Sequence, residues 1–182
     1  MGGVTFSDGS RLYLQVSTGK LVNKKQNIAY DAYEGQVTGI EIVDDEYEGK
    51  PLKRVKLSLL DSEKGETAII QFLFDSWCSQ NFFARAEKID LKKKLLFGTL
   101  PPKDRPESKA SFSYLKQDGK VLEKDPEFPR CGTVTVSGKS YPDWTEMMER
   151  ATAIVEKMQA AISAGASIPN PVPDAPADDL PF

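Results

Sequence analysis

Residues 52–60, LKRVKLSLL, alternate without a slip. Val55, Leu57 and Leu59 share one parity, while Arg54, Lys56 and Ser58 share the other. A period of two puts the aliphatics on one face of a strand and the charges on the opposite face, and no helix does this. The chain is therefore built around a half-buried sheet, and its neighbours extend it. YEGQVTGIEIVDDEYEGK (33–50) reads as a longer strand whose apolar phase shifts from Val37 to Ile40 and Ile42. Gly39 sits at that shift, where a glycine in a strand marks a bulge. TAIIQFLF (67–74) is apolar on both parities and reads as a buried strand. DSWCSQNFFARAEK (75–88) predicts a short helix capped by Asp75 or Ser76. LKKKLLFGTL (91–100) is a strand opened by three lysines, and SFSYLKQDGKVLE (111–123) is a hairpin closed by Asp118-Gly119. RLYLQVS (11–17) adds a strand at the front, with a turn at Thr18-Gly19 and LVNKKQN as a basic connector. GTVTVSG (132–138) is a last short strand.

Within 33–123 the order is three strands, a short helix and two strands. Five strands with one helix between the third and fourth is the order of the oligonucleotide/oligosaccharide-binding (OB) barrel. The bulge at Gly39 suits a strand that curves through both halves of a barrel. An SH3-like barrel or a small sandwich shares the strand count, and the mid-chain helix favours the OB order. The expected fold is thus mainly β: a five-stranded OB-type barrel, an N-terminal strand and a C-terminal helix. The barrel with its N-terminal extension occupies 1–138, an amphipathic helix 139–164, and a disordered acidic tail 165–182. Ser140 and Asp143 form a capping pair with Pro142 in the first turn. Trp144, Met147, Met148, Ala151, Ile154, Val155, Met158, Ala161 and Ile162 then recur at helical spacing over 141–163, and Gly165 stops the helix. Such a stripe packs against the barrel or forms a homo-oligomer contact.

The 182 residues include no histidine. That removes Ser-His-Asp and Cys-His nucleophile systems, His-ligated zinc and the commonest general base near neutral pH. Cys78 and Cys131 have no metal spacing and fit free thiols in a reducing cytoplasm. No Walker-type glycine loop is present, and DDE (44–46) reads as a solvated turn. KQDG (116–119) matches the Lys-x-Asp-Gly pattern around the adenylated lysine of ATP-dependent ligases, but a hairpin turn explains the same four residues. The expectation is a protein without catalysis, cofactor or metal. No apolar run reaches the roughly 18 residues that span a bilayer, and no secretory signal is seen, so a cytoplasmic location without membrane contact is expected.

The net charge of −3 is segregated. Residues 169–182 hold Asp174, Asp178 and Asp179 and no Lys or Arg; removing those three from 27 acids leaves 24, against 24 cations. Cations and aromatic rings interleave in the neutral body, and that combination suits single-stranded nucleic acid. Cations follow phosphates while rings stack bases. The candidate contacts are Tyr47, Lys50, Lys53, Arg54, Lys56, Trp77, Lys103, Arg105, Phe112, Tyr114 and Lys116. Phe72, Phe74 and Phe97 are assigned to the core. Phe112 and Tyr114 share a parity that faces either the groove or the interior, and Trp77 either binds or plugs the barrel bottom.

The chain finishes PADDLPF. Asp178, Asp179, Leu180, Pro181 and Phe182 resemble the C-terminal tip of bacterial and phage single-stranded-DNA-binding proteins, which join an OB domain to an acidic Pro-Phe end through a flexible linker. The resemblance implies a protein that coats single-stranded DNA and recruits replication, recombination and repair proteins through those five residues. A terminal aromatic can enter an apolar pocket while its carboxylate meets a cation. The short Pro/Ala-rich linker and the helix over 141–163 depart from the common bacterial pattern and point to a phage or divergent member. Two other readings stay open: a protein-interaction adaptor without DNA affinity, and a nucleotidyltransferase centred on Lys116.

Overall fold

A computed structural model describes residues 10–103 and 111–165. Strands β1 (Ser10–Ser17), β2 (Lys20–Asn23) and β3 (Ile28–Tyr30) form an N-terminal meander. A second meander follows in β4 (Ala32–Tyr47), β5 (Lys50–Asp61) and β6 (Glu66–Leu73). Helix α1 (Trp77–Ala86) leads to β7 (Lys94–Leu100), β8 (Phe112–Gln117) and β9 (Lys120–Val121). A separate hairpin, β10 (Gly132–Val136) and β11 (Lys139–Asp143), precedes α2 (Thr145–Ser163). The chain is mainly β, a curled open sheet with two helices.

The five strands and the helix expected over 33–123 occur in the expected order, as β4, β5, β6, α1, β7 and β8. They are the middle of a nine-stranded sheet ordered β3-β2-β1-β6-β5-β4-β7-β8-β9, so the expected count of five is corrected. The physical cause is the N-terminal strand. β1 runs parallel to β6 from Ser10↔Glu66 to Gln15↔Gln71 and so occupies the edge on which β8 would close a five-stranded barrel. Point contacts bridge the seam instead. The Gly19 N–H donates to the buried Ser111 Oγ at 2.8 Å. Gly19 has φ +74°, and a Cβ there would lie 2.6 Å from the backbone nitrogen of Pro101. Only glycine fits that turn. Leu21, Val22 and Asn23 of the expected basic connector belong to strand β2.

Inside the curl, Val55, Leu57 and Leu59 of β5 are fully buried, as their parity requires. The register of β4 on β5 shifts between Val37 and Gly39, where the bulge was expected. Phe72 and Phe97 stack at 5.7 Å between centroids, and Phe82 of α1 leans on both, so these phenylalanines are core. Ser76 caps α1, its hydroxyl accepting from the Ser79 N–H at 3.2 Å. Burying a ring of this size stabilises by several kcal/mol relative to a cavity.

α2 begins at Thr145, later than expected. Ser140 and Pro142 belong to β11, where Thr133 pairs with Pro142 and Thr135 with Ser140. Asp143 supplies the cap from just ahead of the helix. Its carboxylate accepts from the Thr145 N–H at 3.0 Å and from the Thr145 hydroxyl at 2.7 Å. Gly165, at φ +82°, ends the helix as expected. The apolar stripe from Met147 to Ile162 is buried, and α2 packs on β4 and α1. Of the two expected uses of that stripe, packing within the chain is the one seen. Glu87 clamps the helix, accepting from Arg150 at 2.9 Å and Lys157 at 3.2 Å.

Two outcomes follow for stability. Phe97→Ala should cost about 3–5 kcal/mol in denaturant unfolding, because it leaves a cavity between the Phe72 and Phe82 rings. Hydrogen bonds from Arg150 and Lys157 hold the Glu87 carboxyl below its usual range. A carboxyl with a depressed folded value stabilises above its unfolded value and loses this contribution as pH falls through the folded one. Glu87→Gln should therefore cost up to about 1 kcal/mol at pH 7, and the difference from the parent should shrink as pH falls through the depressed folded value, in paired thermal melts.

Candidate nucleic-acid interface

Residues paired across a ladder project to the same side of the sheet. Arg54, Lys56 and Ser58 face away from the core, and their partners on β6 are Leu73, Gln71 and Ile69. On β1 the partners of Ile69 and Gln71 are Tyr13 and Gln15, and Arg11 pairs with Thr67. One outward strip thus runs from Arg54 and Lys56 across β6 to Arg11, Tyr13 and Gln15. Leu12 and Leu14, of opposite parity, are buried in the core and fix this orientation.

The cations of β5 and those around β1 are not equivalent, and Lys53 has the parity of the core face rather than of the strip. Lys53 contacts Asp44 at 2.7 Å, Arg54 contacts Asp45 at 2.6 Å, and Lys56 faces Glu41 in register. The Arg54 guanidinium bonded to Asp45, together with the Glu46 N–H, holds that carboxyl below its usual range. The β4–β5 hairpin is thus charge-balanced. Arg11, Lys24 and Lys25 have no carboxylate within 4.0 Å among the described residues.

Those three cations surround a groove. The outward face of β1 and the β2–β3 turn enclose about 410 Å³, bordered by Arg11, Tyr13, Gln15, Lys24, Lys25 and Gln71, with no acid in the lining. Asn23 builds the wall. Its amide donates to the Tyr13 carbonyl at 2.9 Å and accepts from the Gln26 N–H at 3.0 Å, tying the basic turn to β1. Tyr13 is 47% exposed beside it. None of Arg11, Tyr13, Lys24 or Lys25 is among the contacts expected from the sequence. The parity of RLYLQVS carried the signal for Arg11 and Tyr13. The pairing of β1 with β6, which joins them to Lys56, is non-local and has no local signature.

The expected contacts divide among several places. Tyr47 and Lys50 sit exposed at the tip of the β4–β5 hairpin. Phe112, Tyr114 and Lys116 face outward on β8, while Ser113, Leu115 and Gln117 are buried, which resolves the two-way parity reading. Tyr114 lies flat over Gly98, and the Lys116 ammonium is 5.8 Å from its ring centroid. β8 is separated from β5 by β4 and β7, so this patch is not continuous along the ladder with the β1–β6–β5 strip. Trp77 neither plugs a barrel nor joins either patch. It is half exposed at the start of α1, edge-on to Trp144 at 5.0 Å, and borders an apolar cavity of about 330 Å³. Lys103 is exposed, and Arg105 lies outside the described residues, as do Asp178, Asp179, Leu180, Pro181 and Phe182. Gln117 of KQDG turns inward, donating to the Asp90 carbonyl at 2.9 Å, and Asp118-Gly119 form the reversing turn with φ +54° and +75°.

Among the described residues no group of three or more His, Cys, Asp or Glu could hold a metal ion. No described helix is long and apolar enough to cross a membrane. No family model, curated protein or solved structure matches the chain.

Gly98 is the floor on which Tyr114 rests, and a Cβ there would overlap the tyrosine ring. Gly98→Ala should cost about 1–3 kcal/mol by forcing the ring aside. Tyr114→Ala in the same background should recover part of that loss, so a double-mutant cycle by thermal unfolding reads the coupling directly.

Proposed function

We propose that this chain is a non-catalytic single-stranded-DNA-binding protein. The observation that carries the reading is the outward strip of β1, β6 and β5, where an acid-free groove places three unmatched cations beside an exposed tyrosine. Cations neutralise successive phosphates and release condensed counterions, which supplies sequence-independent affinity. An exposed ring stacks any base, which extends that tolerance to sequence. The ladder order β6-β5-β4-β7-β8, with α1 between β6 and β7, supports an OB-type arrangement opened at its seam by β1. The resemblance of residues 178–182 to the acidic Pro-Phe tip supports a second role, recruiting replication, recombination and repair proteins to the coated strand. Apolar capture of Phe182 with charge contact to its carboxylate is the mode such a tip supports.

A second reading is a protein-docking adaptor. It is favoured by the β10–β11 hairpin, which exposes Val134, Val136 and Tyr141 on one face. It predicts partner binding without affinity for nucleic acid.

Titrating the tryptophan fluorescence and the mobility of a fluorescent dT oligonucleotide of about 30–40 bases, across a salt series and against duplex DNA, separates the two. The DNA reading requires tight single-strand binding that falls steeply with salt, and weak duplex binding. No shift of the oligonucleotide at low salt would leave the adaptor. The charge balance of the β4–β5 hairpin gives a further outcome. Asp44→Asn with Asp45→Asn frees Lys53 and Arg54, and should tighten single-strand binding and steepen its salt dependence.

A further inference from the structure

We propose that the N-terminal meander β1–β3 forms half of the strand-binding surface, with the groove between β1 and the β2–β3 turn seating nucleotides of the bound single strand. This rests on the single-strand reading above and assigns its path. A base stacks on Tyr13, flanking phosphates meet Arg11, Lys24 and Lys25, and Gln15 and Gln71 present amides along the floor. From there the strand continues over β6 to Lys56, which pairs with Gln71 across the ladder.

Four features converge on this assignment. The volume, about 410 Å³, falls within the roughly 300–1,000 Å³ typical of ligand sites. The lining contains three cations and no carboxylate, whereas Lys53 and Arg54 of the β4–β5 hairpin are already paired. The Asn23 amide ties the turn to β1 through the Tyr13 carbonyl and braces the turn itself through the Gln26 N–H, so the backbone that carries Lys24 and Lys25 is partly ordered before any ligand arrives. That lowers the ordering cost on binding. Finally, Tyr13 leaves nearly half its surface open beside a buried leucine on either side, a ring fixed at its base and free on its face.

The test uses the full chain and dT and rU oligonucleotides. Parent, Tyr13→Ala, Tyr13→Phe and Lys24→Gln/Lys25→Gln proteins are titrated at several salt concentrations, with thermal melts to confirm folding. Tyr13→Ala should weaken dT binding by about 5- to 150-fold, the range of one lost base stack, and Tyr13→Phe should stay near the parent. The double lysine variant should lower the salt slope by about 1.4, since each phosphate contact to a single strand contributes about 0.7. The rU arm tells whether the groove accepts RNA equally, since stacking and phosphate contacts are common to both polymers. Photocrosslinking of the parent protein to an iodouracil-substituted oligonucleotide, with peptide mapping, should place adducts at Tyr13. This readout stands even if a variant fails to fold. If the parent binds dT tightly while the variants keep its affinity and slope and adducts map elsewhere, this inference is overturned and the single-strand reading stands. If the parent does not bind dT at all, the reading itself fails, and the inference with it.

Discussion

The parallel ladder between β1 and β6 is the contact on which the rest of the architecture depends. Six register pairs, from Ser10↔Glu66 to Gln15↔Gln71, hold the first described strand against one separated from it in the chain by four others. Parallel neighbours cannot be joined by a tight turn. Here the connection consists of β2, β3, β4 and β5. The pairing therefore links the N-terminal meander to the central sheet and occupies the edge of β6 that would otherwise be open. Exposed edges invite pairing with other chains, and covering one removes that hazard. The same pairing leaves the sheet curled but unclosed, with Gly19, Pro101 and Ser111 meeting across the seam.

Placing β1 beside β6 also determines where charge can act. Tyr13 and Arg11 come to the same outward side as Lys56 because ladder partners share a face. The β4–β5 hairpin carries more cations, but Asp44, Asp45 and Glu41 lie across from them. Exposed pairs of this kind contribute little to stability, and their consequence is electrostatic. They reduce the field that a polyanion would meet at the hairpin. The groove on β1 has no such counter-charges in its lining, so its fewer cations are less offset locally.

Much of the fold was legible in local pattern. The parity of Val55, Leu57 and Leu59, the phase shift at Gly39, the cap at Ser76, the Asp118-Gly119 turn and the stop at Gly165 are each fixed by neighbours a few residues away. What local pattern did not carry was the long-range pairing. RLYLQVS reads as an amphipathic strand in any sheet, and nothing in it names Glu66–Gln71 as its partner. Strand count and closure followed from that missing link. The start of α2 was misplaced for a related reason. Ser140, Pro142 and Asp143 satisfy a helix-start pattern, but Ser140 and Pro142 are committed to the β10–β11 ladder, and pairing across the hairpin overrode the local signal. The candidate contacts suffered in the same way. Arg54 and Lys56 were assigned correctly to the outward face by parity, yet the Asp45 carboxylate that pairs with Arg54 lies on the adjacent strand, where local pattern does not reveal it.

The outward strip has a division of labour that follows from these two levels. β5 and β6 belong to the central sheet, and their inward residues are the fully buried core, so the backbone beneath Lys56 and Gln71 is held by the same packing that stabilises the domain. The β2–β3 turn is held by far less: the Asn23 side chain and short ladders to β1 and between β2 and β3. Precise placement matters most for a stacking ring, which loses contact with small displacements, and less for a lysine, whose charge acts over several ångströms. Tyr13 projects from β1, whose Leu12 and Leu14 are anchored in the core, and the lysines project from the turn. The exposed ring thus sits on the better anchored element and the lysines on the less constrained one.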